Sequence, residues 1–267
     1  MTWLNTSVQN GFARSASEAM FPRLFPDAGW WCPSLNPAMG GTRLWDLSGR
    51  QNWGTLTNMD PASDWVVSGG KGALDFDGLD DVVTANLRTQ ATTQLTMSVW
   101  ARLRSTGGSG TGFSRLFARA NFSEFAMSYQ GSGLAIAING TTNVFAYTAP
   151  GTRFDHLCAT WNGSTVTAFV NGASIGSAAF SGTIAASTTA LNLGGVSGLQ
   201  RNIDGLADDW RLYLRSFTPG EVRQLWQIGR GNMPLRRRRR YTEQAGGFKG
   251  YWARNNSRLI GAGNVSS

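Results

Sequence analysis

Between residues 73 and 215 the chain repeats one pattern: a short segment of alternating apolar and polar residues, then a turn rich in Gly or Asn. The segments are ALDFDG (73–78), LTMSVWARL (95–103), SRLFARA (114–120), EFAMSYQ (124–130), LAIAING (134–140), NVFAYTA (143–149), HLCATWNGSTVTAFVNG (156–172), ALNLGG (190–195) and LADDWRLYLR (206–215). A period of two places alternate side chains on one face, which is the signature of a half-buried strand. Asn162-Gly163 splits the longest segment into a hairpin. About ten to twelve strands joined by short turns leave a sandwich or a barrel. Only 15% of the residues are charged and 34 are glycine, so the exposed surface must rest on Ser, Thr, Asn and tight turns.

Upstream, GWWCPSL (29–35) is strand-like, and LWDLSGRQNWGTLTNM (44–59) has a Ser-Gly turn between apolar segments. Residues 1–27 carry little alternation and include Pro22 and Pro26, which break regular elements, so they read as an extended arm. One helix is expected over 219–228. Thr218 is its N-cap, Pro219 its first residue and Glu221 the partner in a capping box, with Val222, Leu225, Trp226 and Gly229 on one face. The N-terminal residues lack a basic stretch followed by an apolar one, so no secretory signal is expected, and no apolar run is long enough to span a membrane.

Four of these stretches, in this order, resemble the laminin-G-like or concanavalin-A-like jelly rolls: GALDFDGLDDVV (72–83), LTMSVWARL, FDHLCATWNGSTVTAFVNG (154–172) and IDGLADDWRLYLRSFTPGEV (203–222). His156, Trp161 and Asn171 fit the family's hairpin, whereas Phe154 and Asp155 depart from it, as does Trp210 in the closing strand. The resemblance implies an all-β, two-sheet antiparallel jelly-roll sandwich over 28–228 with one short C-terminal helix. The strand at 206–215 should lie beside the first strands. It also implies binding of glycans or proteins and a structural Ca²⁺ near the rim, and it includes glucanases.

The carboxylates weigh against hydrolysis. A retaining glycosidase needs two acids about 5–5.5 Å apart, and the chain has only Glu18, Glu124, Glu221 and Glu243. None sits in a Glu-x-Asp-x-Glu strand, and Glu221 belongs to the helix cap. His156 is the only histidine, and Cys32 and Cys158 offer neither a disulfide framework nor metal-ligand spacing. The chain is therefore expected to be no enzyme and to need no cofactor. A Ca²⁺ is the exception the resemblance raises. Asp208 shares parity with Leu206, Trp210 and Leu212, and a core-facing carboxylate needs backbone donors or a cation. Asp77, Asp80 and Asp81 sit in a turn that the family folds near this strand. Either the four ligate Ca²⁺, or Asp81 and Asp208 cap loop N–H groups without metal. Trp100, Trp161 and Trp210 read as core; Trp30, Trp31, Trp45, Trp53 and Trp65 are unplaced, and an exposed one would stack on a glycan or a partner.

The net charge of +8 lies wholly at the C-terminus. Residues 230–267 hold eight Arg, one Lys and one Glu, while residues 1–229 hold fifteen basic and fifteen acidic side chains. Five consecutive arginines, Arg236, Arg237, Arg238, Arg239 and Arg240, are followed by Phe248, Tyr251 and Trp252. Arginine favours bidentate carboxylate or phosphate contacts, and the aromatic residues supply anchors that a purely electrostatic nucleic-acid arm would not need. Residues 229–267 thus read as a docking tail for neighbouring subunits. Arm, jelly roll and tail together resemble lectin-like structural proteins of tailed phages. That resemblance implies a virion subunit (a capsid decoration, a fibre or a tail-associated protein) that forms a homo-oligomer or binds capsid or tail proteins. The alternative is a carbohydrate-binding adhesion module for host-surface glycans; nucleic acid is the lesser partner and no membrane is expected.

Overall fold

In the computed structural model the described residues are 24 and 26–231, apart from 37–39, 106–111, 132, 197 and 200. Most of the arm (1–23 and 25) and the docking residues Arg236–Arg240, Phe248, Tyr251 and Trp252 lie outside them. In chain order the strands are β1 (Gly29–Trp31), β2 (Arg43–Leu44), β3 (Gly54–Thr57), β4 (Trp65–Ser68), β5 (Lys71–Asp77), β6 (Val82–Ala85), β7 (Leu95–Leu103) and β8 (Ser114–Arg119). There follow β9 (Phe125–Gln130), β10 (Gly133–Ile138), β11 (Thr141–Ala146), β12 (Asp155–Trp161), β13 (Thr165–Val170), β14 (Ala173–Ala179), β15 (Leu191–Leu193), β16 (Asp204–Tyr213) and helix α1 (Pro219–Gly231). A 3₁₀ turn spans Pro33–Leu35.

Two eight-stranded antiparallel sheets stack face to face. The first runs β14-β13-β12-β7-β16-β5-β4, with β1 also paired to β16; the second runs β11-β10-β9-β8-β15-β6-β3-β2. β16 therefore lies beside β1 and β5, as expected. The inner faces interdigitate Trp31, Phe76, Met97, Phe117, Phe125, Leu157, Trp161 and Trp210, all buried, and burial of such area drives the fold. The Asn162-Gly163 hairpin forms as expected: Asn162 Oδ1 accepts the N–H groups of Ser164 and Thr165, and Gly163 supplies the φ of 92°.

Three details differ from expectation. β14 is an edge strand of small residues with mixed exposure, so it carries no alternation to read. The helix continues to Gly231, and Gly229 lies within it against Trp100: a Cβ there would sit 2.3 Å from the indole nitrogen. Lys71 Nζ donates to the Gly229 carbonyl at 2.8 Å while lying 4.1 Å from the Trp100 ring centroid. The cation thus meets the negative helix end. The capping box is present: Thr218 Oγ1 accepts the Glu221 N–H, and Glu221 Oε2 accepts the Thr218 N–H.

The third difference changes the site. β16 carries a bulge between Asp208 and Arg211, with Asp209 at φ 56°. Ala207 precedes it on the core side, and Trp210 and Leu212 follow it on the same side. The strand parity read across the sequence is therefore broken, and Asp208 faces outward with the first sheet's other outer residues. Trp100 is also displaced from the expected core, since it lies on this outer face under α1.

Candidate functional site

The turn between β5 and β6 brings Asp77, Asp80 and Asp81 together, with one carboxylate oxygen from each within 4.8 Å of the others. Asp77 Oδ1 accepts the Leu79 N–H, and Asp81 Oδ2 accepts the Asp77 N–H. Asp81 is only 3% exposed. Burial, with the charges of Asp77, Asp64 and Asp80, pushes its carboxyl up to about 7, against the lowering effect of the Asp77 N–H bond. Asn202 closes the site from behind: its Nδ2 donates to the Asp81 carbonyl at 2.7 Å, and its buried Oδ1 has no hydrogen-bond partner. The three carboxylates form a hard-oxygen set that would fit a divalent cation such as Ca²⁺. The three aspartates would hold the ion, which would supply the positive charge that keeps Asp81 ionised.

Asp208 is not part of this set. Asp204, not Asp208, stands opposite Asp77, so Asp208 is about 13 Å further along the strand. Its carboxylate accepts the Ser34 N–H at 3.1 Å, the Ser34 hydroxyl at 2.9 Å and the Cys32 thiol at 3.5 Å. It caps the 3₁₀ turn, which is the metal-free alternative, and Asp81 does the same for the β5–β6 turn while also facing the two other acids.

The outer face of the first sheet is a closed polar network. Asp209 takes a bidentate pair from Arg211, at 2.8 and 2.9 Å, and a 2.6 Å bond from Trp30 Nε1. Burial works to raise Asp209, but the Arg211 guanidinium holds it below its ordinary value. Ser98 Oγ and His156 Nε2 lie 2.8 Å apart, a separation seen in nucleophile–base pairs. However, both are fully buried, His156 Nδ1 has no orienting acceptor, and burial pushes the imidazole down to about 3. The pair is fully buried on the face that α1 covers, where no substrate reaches it.

The second sheet differs. The register Arg43↔Thr55↔Thr84↔Asn192 lays polar residues across its outer face from the β2 edge. Two residue pairs beyond that rung, past Leu44↔Gly54, Trp45 and Trp53 face each other across the β2–β3 hairpin, ring centroids 5.5 Å apart. The Arg43 guanidinium lies 4.8 Å from the Trp53 centroid. Trp53 is 37% exposed, one of the few large apolar side chains open to solvent among the described residues. Asn36 pins the hairpin, accepting the Trp45 N–H and donating to the Arg43 carbonyl. A flat, half-exposed indole beside a guanidinium and hydroxyl-bearing side chains can stack on an apolar ring face while hydrogen-bonding its hydroxyls. Sequence reading left Trp45 and Trp53 unplaced because only the hairpin register makes them neighbours.

Of the other expected site residues, Glu124 pairs with Arg119 at 3.2 Å and Glu221 with Arg215 at 2.9 Å. Cys32 and Cys158 are free buried thiols, both raised by burial. Among the described residues no helix is long and apolar enough to cross a membrane.

Comparison with known proteins supports the architecture. The profile of the concanavalin A-like lectin/glucanases superfamily matches residues 76–223, more than half of the chain. No curated protein matches. Among solved structures, domain 4 of AbnA, a GH43 extracellular arabinanase from Geobacillus stearothermophilus in complex with arabinotriose, is similar. Its TM-score is 0.56 at 16% identity, over 75% of this chain and 99% of that one. The receptor binding domain of botulinum neurotoxin type G has a TM-score of 0.56 at 15% identity, over 76% of this chain. The binding domain of Paraclostridial mosquitocidal protein 1 has a TM-score of 0.55 at 14% identity, over 74% of this chain. The chain spans about half the length of each toxin domain, 51% in both cases.

Proposed function

The chain belongs to the concanavalin A-like lectin/glucanases superfamily, and on that premise we propose that it is a non-catalytic, lectin-like module whose second sheet presents its outer face to a carbohydrate. The paired Trp45 and Trp53 with Arg43 carry this reading, since much of the first sheet's outer face is covered by α1 and by the cluster of Trp30, Cys32, Leu35 and Leu47. The similarity to an arabinanase domain seen with arabinotriose, and to toxin receptor-binding domains, supports it at the level of fold. The engagement of Glu124 with Arg119 and of Glu221 with the helix cap supports the non-catalytic reading. Ca²⁺ at Asp77, Asp80 and Asp81 has a structural role, steadying the rim. The test is a glycan array followed by calorimetry on the best hit: wild type binds, and Trp53→Ala weakens binding about tenfold or more without unfolding the protein. An array with no hit above background contradicts the proposal.

A second reading rests on a separate observation, the +8 charge confined to residues 230–267 with aromatic residues interleaved. It makes the protein an assembly subunit, in a phage virion, that docks to its neighbours through Arg236–Arg240, Phe248, Tyr251 and Trp252. Truncation after Met233 would leave the sandwich folded but unable to join its assembly; full incorporation of the truncated chain contradicts this reading.

A further inference from the structure

Arg115 and Arg201, like Arg43, lack among the described residues the carboxylate partner that several other arginines of the chain have. Arg119 has Glu124, Arg153 has Asp155 and Arg104 has both Asp75 and Asp204. Among the described residues no carboxylate pairs with Arg115 or Arg201. Residues 106–111, 197 and 200 contain no acidic side chain either.

The placement is specific. Arg115 pairs with Ser128 across β8–β9, and Ser128 pairs with Ala135 on β10. Met127 and Tyr129 point into the core, so Ser128 and Arg115 face outward. Arg115 lies down on this small-residue floor, 4% exposed, with Nη1 donating to Ser128 Oγ at 2.5 Å. Its guanidinium is 5.3 Å from the Phe113 centroid and 5.5 Å from that of Phe122. Arg201 reaches the same Phe113 ring at 5.8 Å and donates to Asn121 Oδ1 at 3.0 Å. The Nε atoms of both arginines are buried without a hydrogen-bond partner.

Two guanidinium groups on one ring repel each other, and each buried N–H left unmade is costly. Burial and the charge of Arg201 together pull Arg115 down to about 10, with no anion offsetting them. Rings and a hydroxyl satisfy only part of this demand. The missing component is a planar or tetrahedral oxyanion, which arginine forks bind bidentately.

We propose that Arg115 and Arg201, set around Phe113 on the outer face of the second sheet, bind the acid group of a sugar, a uronate carboxylate or a sulfate ester, and so make the module selective for acidic glycans. This rests on the carbohydrate reading above, because the pair lies on the outer face of the same sheet as Arg43, Trp45 and Trp53, roughly 20 Å away toward the other end of the strands, as a second subsite for a longer chain. Phe113 and Phe122 would cover the sugar's apolar edge while the guanidinium groups take the charge.

Calorimetry with tri-galacturonate and with the neutral trisaccharide of the same linkage tests it, using wild type and Arg201→Gln. Wild type should bind the acidic trisaccharide roughly tenfold more tightly or better. Arg201→Gln should erase that preference and leave neutral binding unchanged. Arg115→Lys, which keeps the charge but loses the fork, should reduce the preference without abolishing it. Equal binding of the two trisaccharides, or a preference that survives Arg201→Gln, overturns the proposal and leaves the carbohydrate reading standing. If neither trisaccharide binds, inorganic sulfate separates the two claims. A sulfate-dependent rise in the unfolding midpoint of wild type that exceeds that of Arg201→Gln keeps the anion site and removes the glycan. No difference between the two proteins overturns the anion site. Binding of an oligonucleotide through Arg201, with no uronate binding, also overturns it.

Discussion

The two outer faces of the sandwich handle charge in opposite ways. On the first sheet, Asp208, Asp209 and Arg211 are as buried as any core residue, yet almost every polar atom has a partner from β1, the 3₁₀ turn or the strand itself. On the second sheet, Arg115 is nearly as buried, yet its Nε is orphaned and its nearest charged neighbour repels it. The network built on Asp208, Asp209 and Arg211 is architecture, since those groups are matched within the fold, although His156 Nδ1 and Arg102 Nε on the same face are buried without a partner. An open one carries a free-energy debt that a ligand of the right charge can remove. Trp53, 37% exposed, lies on the open side as well, while its neighbour Trp45 packs against Trp30, Cys32 and Leu47.

Breaking the closed side should have the largest effect. Asp209→Ala removes the bidentate carboxylate from buried Arg211 and the acceptor of Trp30 Nε1, and loss of one partner of such a pair costs about 3–5 kcal/mol. Chemical denaturation checks this. Arg201→Gln on the open side should change stability by no more than about 0.5 kcal/mol, or raise it, because it removes repulsion. Equal losses in the two variants would erase the contrast. Next in size is Gly229→Ala: the new methyl group meets Trp100 and should cost about 1–3 kcal/mol by lifting the end of α1.

Much of this was legible in the residues. The alternating segments, the Asn162-Gly163 turn and the Thr218–Glu221 box all act locally, so the structure follows them closely. Non-local facts were not legible. The bulge at Asp208/Asp209 shifts every outward residue of β16 by one place. Its only trace was an Asp-Asp pair in mid-strand, where β-propensity disfavours both. The Trp45–Trp53 pair and the Arg115–Arg201 pair depend on register and on loops, and no spacing in the chain announces either. The Asp77, Asp80 and Asp81 cluster was legible because one turn contains it; adding Asp208 failed because parity was carried across the bulge.

The acidic rim sharpens the comparison from a third place. Asp81 is raised to about 7 in the fold from an ordinary value of 3.8. An acid raised on folding favours the folded state while protonated, so its contribution is present below about pH 4 and is lost as pH rises towards 7. In chelator the unfolding midpoint should therefore lose this contribution across that window. Added Ca²⁺ should raise the midpoint more at pH 7 than at pH 5, by about 2.7 kcal/mol in stability at a hundredfold excess over Kd. A midpoint indifferent to Ca²⁺ at pH 7 assigns the three aspartates to turn capping alone. The Asp81→Asn variant should lose this pH dependence, and with it most of the response to Ca²⁺.

The most direct test of the open-face account is an amide NMR titration of residues 24–233 with the best oligosaccharide from the array. The account predicts shift changes concentrated on Arg43, Trp45, Trp53, Thr55, Thr84 and Asn192, extending to Phe113 and Arg115 when the sugar is acidic, with Ser98, His156, Asp208 and Asp209 unmoved. Changes centred on the first sheet or on α1, with the second sheet silent, would contradict it.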